Sequence, residues 1–143
     1  MNSIQTCLIK KSPSIKPIWL MRQAGRYLPE FRKIRKLKPN FIKLCLDSNL
    51  SSKITLQPIK RFDLDAAIIF SDILMVPYGL GQNIKFKKNI GPTLSKFNID
   101  KFMNNTETEF IKKLNPIYDA IRKTRNKLDK KKSLISFIGS PWT

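Results

Sequence analysis

The sequence contains no histidine and only two cysteines, and both shortages limit the chemistry that the chain can support. Without histidine, a histidine-based catalytic triad and a histidine metal site are excluded within these 143 residues. Cys7 and Cys45 lie far apart in the sequence and are interpreted as reduced thiols, with a disulfide or a shared metal ion as alternatives. The sequence also lacks a glycine-rich phosphate loop, a metal-ligand cluster and a suitably spaced pair of carboxylates.

Long apolar runs and acidic residues are also scarce. The longest apolar run, residues 66–70, has the length of a strand and is far shorter than the roughly 18 residues that span a membrane. Residues 1–16 are polar and lack the apolar region of a secretory signal. We therefore expect a loose polar N-terminal arm over residues 1–16, a cytoplasmic protein and no membrane partner.

The excess of basic over acidic side chains has three explanations. Ten acidic residues accompany 28 lysines and arginines, which gives a net charge of +18. The excess forms a lysine-rich solvated surface, attracts an anionic small-molecule substrate, or binds nucleic acid. The basic residues are spread along the whole chain, and the lysine run at residues 130–132 has no aromatic residue close by. We therefore expect no nucleic-acid partner.

The order of apolar and polar segments is typical of an α/β fold with parallel strands. Buried strands are predicted at residues 15–21, 66–70 and 133–138. Four helices are predicted, beginning at Pro29, at Asn40, at Ser48 or Asn49, and at Thr106. Pro58 would kink or end the third helix, and Pro116 would kink the last helix or divide it into two. Residues 77–81 are predicted as a loop, followed by an exposed hairpin that starts at residue 84 and turns at residues 91–92.

Residues 21–27, with the sequence MRQAGRY, are the first candidate site. Arg22 and Arg26 follow the first predicted strand, and each guanidinium presents a planar fork that fits a carboxylate or a phosphate. Gly25 would let the backbone adopt a positive φ or approach a ligand closely. The pattern predicts an anion-binding site, and the alternative is a structural salt bridge from these arginines to Asp63, Asp65 or Asp72.

Asp72 is the second candidate. It follows the predicted strand at residues 66–70, and parallel α/β folds build their sites at the carboxyl ends of strands. A carboxylate in this position is desolvated unless it is paired, which favours a functional role. A helix N-cap or a loop aspartate paired with an arginine is the alternative. Arg35, taken alone, is one charge on a basic helix face.

Four stretches of the sequence, in this order, resemble the uroporphyrinogen decarboxylase family. They are PIWLMRQAGRYLPEFR at 17–32, TLQP at 55–58 with RF at 61–62, LDAAIIFSDIL at 64–74, and FIGSPWT at 137–143. The resemblance implies a (β/α)₈ barrel, of which residues 17–143 would form the N-terminal portion with about three strands. It also implies that the chain is an incomplete and, by itself, inactive fragment.

The same resemblance implies an activity and a site. Members of the family are cofactor-independent carboxy-lyases of haem biosynthesis, commonly homodimeric, that decarboxylate the four acetate arms of the tetrapyrrole uroporphyrinogen III to give coproporphyrinogen III. On this basis Arg22, Arg26 and Arg35 bind substrate carboxylates, the backbone of Gln23, Ala24 and Gly25 shapes the same wall, Asp72 faces the pyrrole N–H groups, and no metal is bound. Catalysis would rest on Asp72 and Arg22. The alternatives are a same-fold corrinoid or thiol methyltransferase, a group that typically lacks the RQAGR segment, and a basic nucleic-acid-binding module.

Overall fold

The computed structural model describes residues 2–11, 14, 16–87 and 90–139. Within these ranges the chain is a mixed α/β protein with two small sheets. The helices are α1 (Ser3–Lys10), α2 (Pro29–Leu37), α3 (Phe41–Cys45), α4 (Ser48–Arg61), α5 (Met75–Gly79), α6 (Ile99–Met103) and α7 (Glu107–Lys127). The strands are β1 (Ala66–Ile68), β2 (Ile84–Lys87), β3 (Gly91–Leu94) and β4 (Ser133–Ile135).

Strands β1 and β4 form a parallel pair, with Ala66 opposite Ser133. Parallel strands need a long crossover connection, and helix α7 lies within the one between them. Helices α4 and α7 pack against each other beside this pair. Both helices carry small buried residues, which allow close packing: Ser51, Ser52, Ala120 and Thr124. The pairing confirms two of the predicted strands, although β1 ends at Ile68 and β4 at Ile135.

Residues 16–21 do not form the first predicted strand, although they lie beside β1. The side chain of Gln23 stands between the two segments. Its Oε1 accepts a hydrogen bond from the Leu20 N–H, and its Nε2 donates to the Ala66 carbonyl, both at 2.9 Å. These bonds satisfy the backbone groups that a β-ladder would pair directly, so the ladder does not form. The prediction of a strand is wrong for residues 16–21, and residue 15 lies outside the described residues.

Helix α1 occupies part of the segment that the sequence predicts as a loose arm. Asn2 caps the helix: its Oδ1 accepts from the Gln5 N–H at 2.9 Å, and the Gln5 Oε1 accepts from the Asn2 N–H at 3.2 Å. The Ser133 hydroxyl donates to the same Asn2 oxygen at 2.7 Å, which attaches the helix to the start of β4. The expectation of a loose arm is therefore wrong for residues 3–10.

The helix starts follow the predicted caps. Pro29 is the first residue of α2, Asn40 caps α3, and Thr106 forms a capping box with Glu109 at the start of α7. The two internal prolines do not end their helices. Helix α4 runs through Pro58 to Arg61, and α7 is one helix through Pro116, because burial of these helices outweighs one lost backbone hydrogen bond each.

Two turn predictions are wrong, the first of them in part. Helix α5 covers residues 77–79 of the predicted loop at 77–81 and ends at Gly79, where the chain passes close to the Phe110 ring of α7, whereas residues 80 and 81 are not helical. Gly91 and Pro92 lie in strand β3 instead of forming the hairpin turn. Before them the Ile90 N–H donates to the Lys87 carbonyl at 3.3 Å, and residues 88 and 89 lie outside the described residues.

The core lies between the helices and the β1–β4 pair. One cluster joins α2 to α4 through Leu28, Phe31, Ile34, Leu44 and Ile54. A second cluster joins Cys45 of α3 to Met75 of α5 and Leu114 of α7. Phe70 packs against both clusters. The helices that the structure describes include none with the length and apolarity required to cross a membrane.

Candidate active site

The loop between residue 21 and helix α2 is fixed from the inside by Gln23. This side chain is only 2% exposed and binds the backbone of Leu20 and Ala66 as described above. The Tyr27 hydroxyl donates to the Gln23 carbonyl, and the Leu28 N–H donates to the Gly25 carbonyl at 3.0 Å. The loop is therefore held in one shape while its arginines remain at the surface.

The side chains of Arg22 and Arg26 are exposed, and neither forms a hydrogen bond or ion pair with any residue in the described ranges. The three aspartates offered as alternative partners are engaged elsewhere. Asp63 pairs with Lys132 at 2.8 Å, and Asp65 accepts from the Ser3 hydroxyl at 2.7 Å. The Asp72 Oδ1 accepts a backbone N–H. The salt-bridge alternative is therefore wrong for the described part of the chain, and both guanidinium groups are available to an anion.

Gly25 does not have a positive φ, which corrects one of the two reasons given for a glycine there. A Cβ at this position would lie 3.6 Å from the Tyr27 Cδ1 atom, which is an ordinary van der Waals contact. The fold therefore does not require glycine at residue 25. Close approach of a ligand to the backbone stays a prediction. Ala24, next to it, packs against the α2–α4 cluster.

Arg35 lies on α2 and is held by the α2–α3 connection. Its Nη1 donates to the carbonyls of Lys38 at 3.0 Å and Pro39 at 2.9 Å, and its guanidinium carbon lies 5.6 Å from the centre of the Phe41 ring. Partial burial lowers the pKa of Arg35, and the nearby positive charge of Arg26 lowers it further. Arg35 is therefore held to the α2–α3 connection by its Nη1 group and has a second cation in its surroundings.

Asp72 lies beyond the carboxyl end of β1, as predicted. Its Oδ1 accepts the Leu74 N–H at 2.8 Å, and its carbonyl accepts the Met75 N–H at 3.2 Å, so it shapes the turn before α5. The N-cap of α5 is Leu74 rather than Asp72. The Asp72 Oδ2 has no hydrogen-bond partner among the described residues, so the turn leaves one carboxylate oxygen for other contacts.

A mostly apolar cleft of about 320 Å³ opens beside Asp72. Its walls are the residues after β1 and β4 and one face of α7, including Ile69, Ile117, Tyr118, Ile121 and Phe137. A carboxylate at the rim of such a cleft loses part of its hydration when a ligand covers it, which strengthens its attraction for a cationic or N–H-bearing group. Two larger grooves, of about 400 and 640 Å³, meet at Lys101 and contain none of the predicted site residues.

The pKa of the Cys45 thiol depends on its burial and on the charges of Asp72 and Arg35. Burial raises the pKa of this thiol to about 12, the negative charge of Asp72 raises it, and the positive charge of Arg35 lowers it. Both charges therefore act on the same sulfur atom at the end of α3. Within the described residues no hydrogen bond or ion pair joins Arg22, Arg26, Arg35 or Asp72 to one another, so their grouping in one site stays a prediction.

The sequence did not single out the aromatic side chains around Arg35. Phe41, Phe70 and Phe86 form a chain of ring contacts beside this arginine. Phe41 was predicted only as an inward residue of α3. Its position directly after the Asn40 cap and six residues after Arg35 was the one available signal. In the described ranges no three Cys, Asp or Glu side chains converge as a possible metal site.

The chain matches known proteins over nearly its whole length. The family model described as uroporphyrinogen decarboxylase (URO-D) matches residues 2–143. Proteins named uroporphyrinogen decarboxylase from Rickettsia felis and Rickettsia bellii are 47% and 49% identical to it over 135 residues, which is 94% of this chain. One from Rickettsia canadensis is 49% identical over 127 residues. The matched part is 39%, 40% and 38% of these three relatives, so the chain spans about two fifths of their length. The chain belongs to the uroporphyrinogen decarboxylase family.

Proposed function

We propose that the chain contributes substrate-binding and catalytic groups to the decarboxylation of uroporphyrinogen III to coproporphyrinogen III in haem biosynthesis. The observation that carries this proposal is a pair of guanidinium groups, Arg22 and Arg26, that have no partner among the described residues and lie on a loop anchored from inside by Gln23. Membership of the family and the names of its Rickettsia relatives support the choice of substrate.

We also propose that the chain corresponds to the first part of a (β/α)₈ barrel. Strands β1 and β4 would be its second and third strands, and residues 16–21 would take the place of the first. The parallel pairing of β1 with β4 across helix α7 supports this assignment. The placement of Asp72 beyond the carboxyl end of β1 agrees with the position of active sites in such barrels.

The arginines would hold and orient the substrate. Uroporphyrinogen carries eight carboxylates, and a guanidinium fork can bind one of them with two parallel hydrogen bonds. The charge of Arg26 lowers the pKa of Arg35, and Arg22 adds a third cation four residues from Arg26. A guanidinium stays protonated across the physiological pH range, so these residues would act as carboxylate anchors rather than as proton donors.

Asp72 would stabilise the cation that forms during the reaction. A proton added to the pyrrole carbon next to an acetate arm makes that ring cationic. The bond between the methylene carbon and the carboxylate then breaks, carbon dioxide leaves, and the bonding electron pair moves into the cationic ring. A second proton, added to the methylene carbon, completes the methyl group, and the first proton returns to solvent. A carboxylate facing the pyrrole N–H groups lowers the energy of the cationic stages.

A binding measurement tests the arginine assignment on the chain itself. Uroporphyrin, the oxidised and fluorescent form of the substrate, is titrated against the wild-type chain and the variants Arg22→Gln, Arg26→Gln and Arg35→Gln. Each substitution should weaken binding by about fivefold to tenfold, because each removes one charge-assisted anchor. Coproporphyrin, which has four carboxylates instead of eight, should bind more weakly than uroporphyrin.

The matched control addresses the net charge of +18, which attracts any polyanion. Arg122 is an exposed arginine on α7 that pairs with Asp119. Arg122→Gln changes the net charge by the same amount as the site variants and should leave the affinity within about twofold of wild type. Equal losses in Arg22→Gln and Arg122→Gln would show unspecific attraction and would contradict the proposed site.

A further inference from the structure

We propose that Phe41 is a positioning residue that holds the Arg35 guanidinium in place for a substrate carboxylate, and that the β2–β3 hairpin supports it through Phe86. This inference rests on the proposed function for the identity of the ligand. Its physical basis is a set of contacts that join three separate parts of the chain at the Phe41 ring.

Within the described ranges, Arg35 is held through one of its three guanidinium nitrogens. Only its Nη1 donates to the described chain, to the carbonyls of Lys38 and Pro39. Its Nη2 and Nε groups have no partner in the described ranges. The Arg35 Cζ atom lies over the Phe41 ring, 5.6 Å from its centroid, within the range of a cation–π contact. This arrangement presents a fork in a fixed direction, which a bidentate carboxylate contact requires.

The Phe41 ring is itself fixed by two other rings. Phe70 meets it at a centroid distance of 5.7 Å and an interplanar angle of 79°, and Phe86 at 5.2 Å and 65°. Both are edge-to-face contacts, a favourable geometry for aromatic pairs. Phe70 precedes Asp72 by two residues and also contacts Phe31 of α2 at 5.7 Å. The row of rings therefore runs from the turn that holds Asp72 to the surface that holds Arg35.

The hairpin reaches this row through Phe86 of strand β2. A two-stranded hairpin is marginally stable by itself and needs contact with the rest of the protein. Phe86 supplies an aromatic contact of this kind, and it is still 44% exposed. The hairpin therefore contacts Phe41 through a ring that is partly exposed to solvent, and this contact would limit the movement of the Phe41 ring near Arg35.

The simpler explanation is that Phe41 only fills space in the core cluster around Cys45. The two explanations differ in what an aliphatic side chain can replace. Leucine fills much of the volume of a phenylalanine but has no π face, so it can pack in the core without holding a guanidinium plane. Tyrosine keeps the ring. A positioning role therefore requires a ring at residue 41, whereas a space-filling role does not.

The first experiment observes Arg35 without any ligand. The Nε–Hε peak of Arg35 in a ¹H–¹⁵N spectrum is assigned by its absence in Arg35→Gln, and ¹⁵N relaxation of this group gives an order parameter for the side chain. Phe41→Leu should lower this order parameter toward that of a freely moving arginine, and Phe41→Tyr should leave it unchanged. Phe86→Leu should lower it by a smaller amount, whereas Phe97→Leu, a control at a ring that packs on Phe102, should not.

The second experiment is a double-mutant cycle in uroporphyrin affinity. Phe41→Leu should weaken binding by about twofold to fivefold, because a freely moving Arg35 side chain must then be ordered when the carboxylate binds. The same substitution in an Arg35→Gln background should have no further effect, because there is no guanidinium left to position. Phe41→Tyr should restore the wild-type affinity.

The outcomes separate the inference from the proposed function. An unchanged Arg35 order parameter in Phe41→Leu, or an equal loss of affinity in both Arg35 backgrounds, overturns the positioning role. A lowered order parameter in a chain that does not bind uroporphyrin supports the positioning role and contradicts the proposed function. A lowered order parameter together with a loss of affinity confined to the chain that keeps Arg35 supports both.

Discussion

Cys45 is buried at the end of α3, where it packs against residues of α5 and α7. The reactivity of its thiol therefore measures how closely these helices pack around it. Burial is the main cause of its high pKa, and it raises the value to about 12. At pH 8 a thiol with this pKa has only about one thiolate in ten thousand molecules, and the thiolate is the reactive form. Alkylation of Cys45 by iodoacetamide should therefore be at least about a hundredfold slower in the folded chain than in urea.

Peptide mass spectrometry of a time course measures this rate for Cys45 separately from Cys7. The Cys7→Ser variant, in which Cys45 is the only thiol, serves as the control and should give the same slow rate. Equal rates for Cys45 in the folded and the urea-unfolded chain would contradict the packing of α3 against α5 and α7.

Asp65 gives a prediction about pH. Its carboxylate accepts hydrogen bonds from the Ile18 N–H and the Ser3 hydroxyl, both at 2.7 Å, and these bonds lower the pKa of Asp65 in the folded chain. A lowered pKa means that the stabilisation is complete above the pKa of an unfolded aspartate and is lost as the pH falls through the folded value. Asp65→Asn should cost about 1 kcal/mol at pH 7, because the site is partly exposed to solvent.

Urea unfolding at several pH values tests this expectation. The difference in unfolding free energy between wild type and Asp65→Asn should shrink below the usual pKa of an aspartate and approach zero in strong acid. Asp63→Asn, at a fully exposed neighbour, is the matched control and should show a smaller loss. A difference that is independent of pH would show that the charge of Asp65 does not matter.

At the scale of elements, the packing of α5 on α7 depends on the absence of a side chain at Gly79. A Cβ there would lie 2.7 Å from Phe110 Cε2 and 3.2 Å from Leu114 Cδ1. Gly79→Ala should therefore destabilise the chain by about 1–3 kcal/mol through overpacking. Gly25→Ala, where the new methyl group meets only the Tyr27 ring at 3.6 Å, should stay within about 0.5 kcal/mol of wild type. Thermal unfolding of the two variants measures both values, and equal losses would contradict the packing described here.

The elements that the sequence predicted well are those with local signals. The Asn40 cap, the Pro29 start and the Thr106–Glu109 box each depend on residues within one helical turn, and the structure confirms all three. The segment at residues 16–21 failed because its pairing depends on the Gln23 amide, which reaches across to Ala66, 43 residues away in sequence. A local pattern carries no information about such a contact.

The candidate site also divides into residues with a local sequence signal and residues whose contacts are distant in sequence. Asp72 could be placed at a strand end because the apolar run before it is local. The row of rings at Phe41, Phe70 and Phe86 could not be predicted, because it joins α3 to the β1 end and to the hairpin. Helix α5 was missed for a related reason. Pro77 and Gly79 are residues that favour a loop by their local preference, and the packing of α5 against Phe110 outweighs this preference.

At the scale of the whole molecule, the surroundings of Asp72 determine whether the chain can catalyse by itself. The cleft beside it is open, and apolar side chains on its walls remain exposed: Ile138 at 78%, Ile73 at 41% and Tyr118 at 39%. A carboxylate stabilises a developing cation strongly only where water is excluded, since the high dielectric constant of water screens the interaction. The Rickettsia relatives have further sequence beyond the part that this chain matches.

We therefore expect the 143-residue chain, incubated anaerobically with uroporphyrinogen, to give no coproporphyrinogen above the uncatalysed background, even if it binds uroporphyrin. Chromatography of the oxidised porphyrins measures the product, and the full-length relative from Rickettsia bellii in the same assay shows that the substrate is intact. Asp72→Asn should match the wild-type chain, because an aspartate exposed to water in an open cleft provides little electrostatic stabilisation. Product formation by the wild-type chain that disappears in Asp72→Asn would show instead that the groups in residues 1–143 suffice for the chemistry, and that exclusion of water by further sequence is not required.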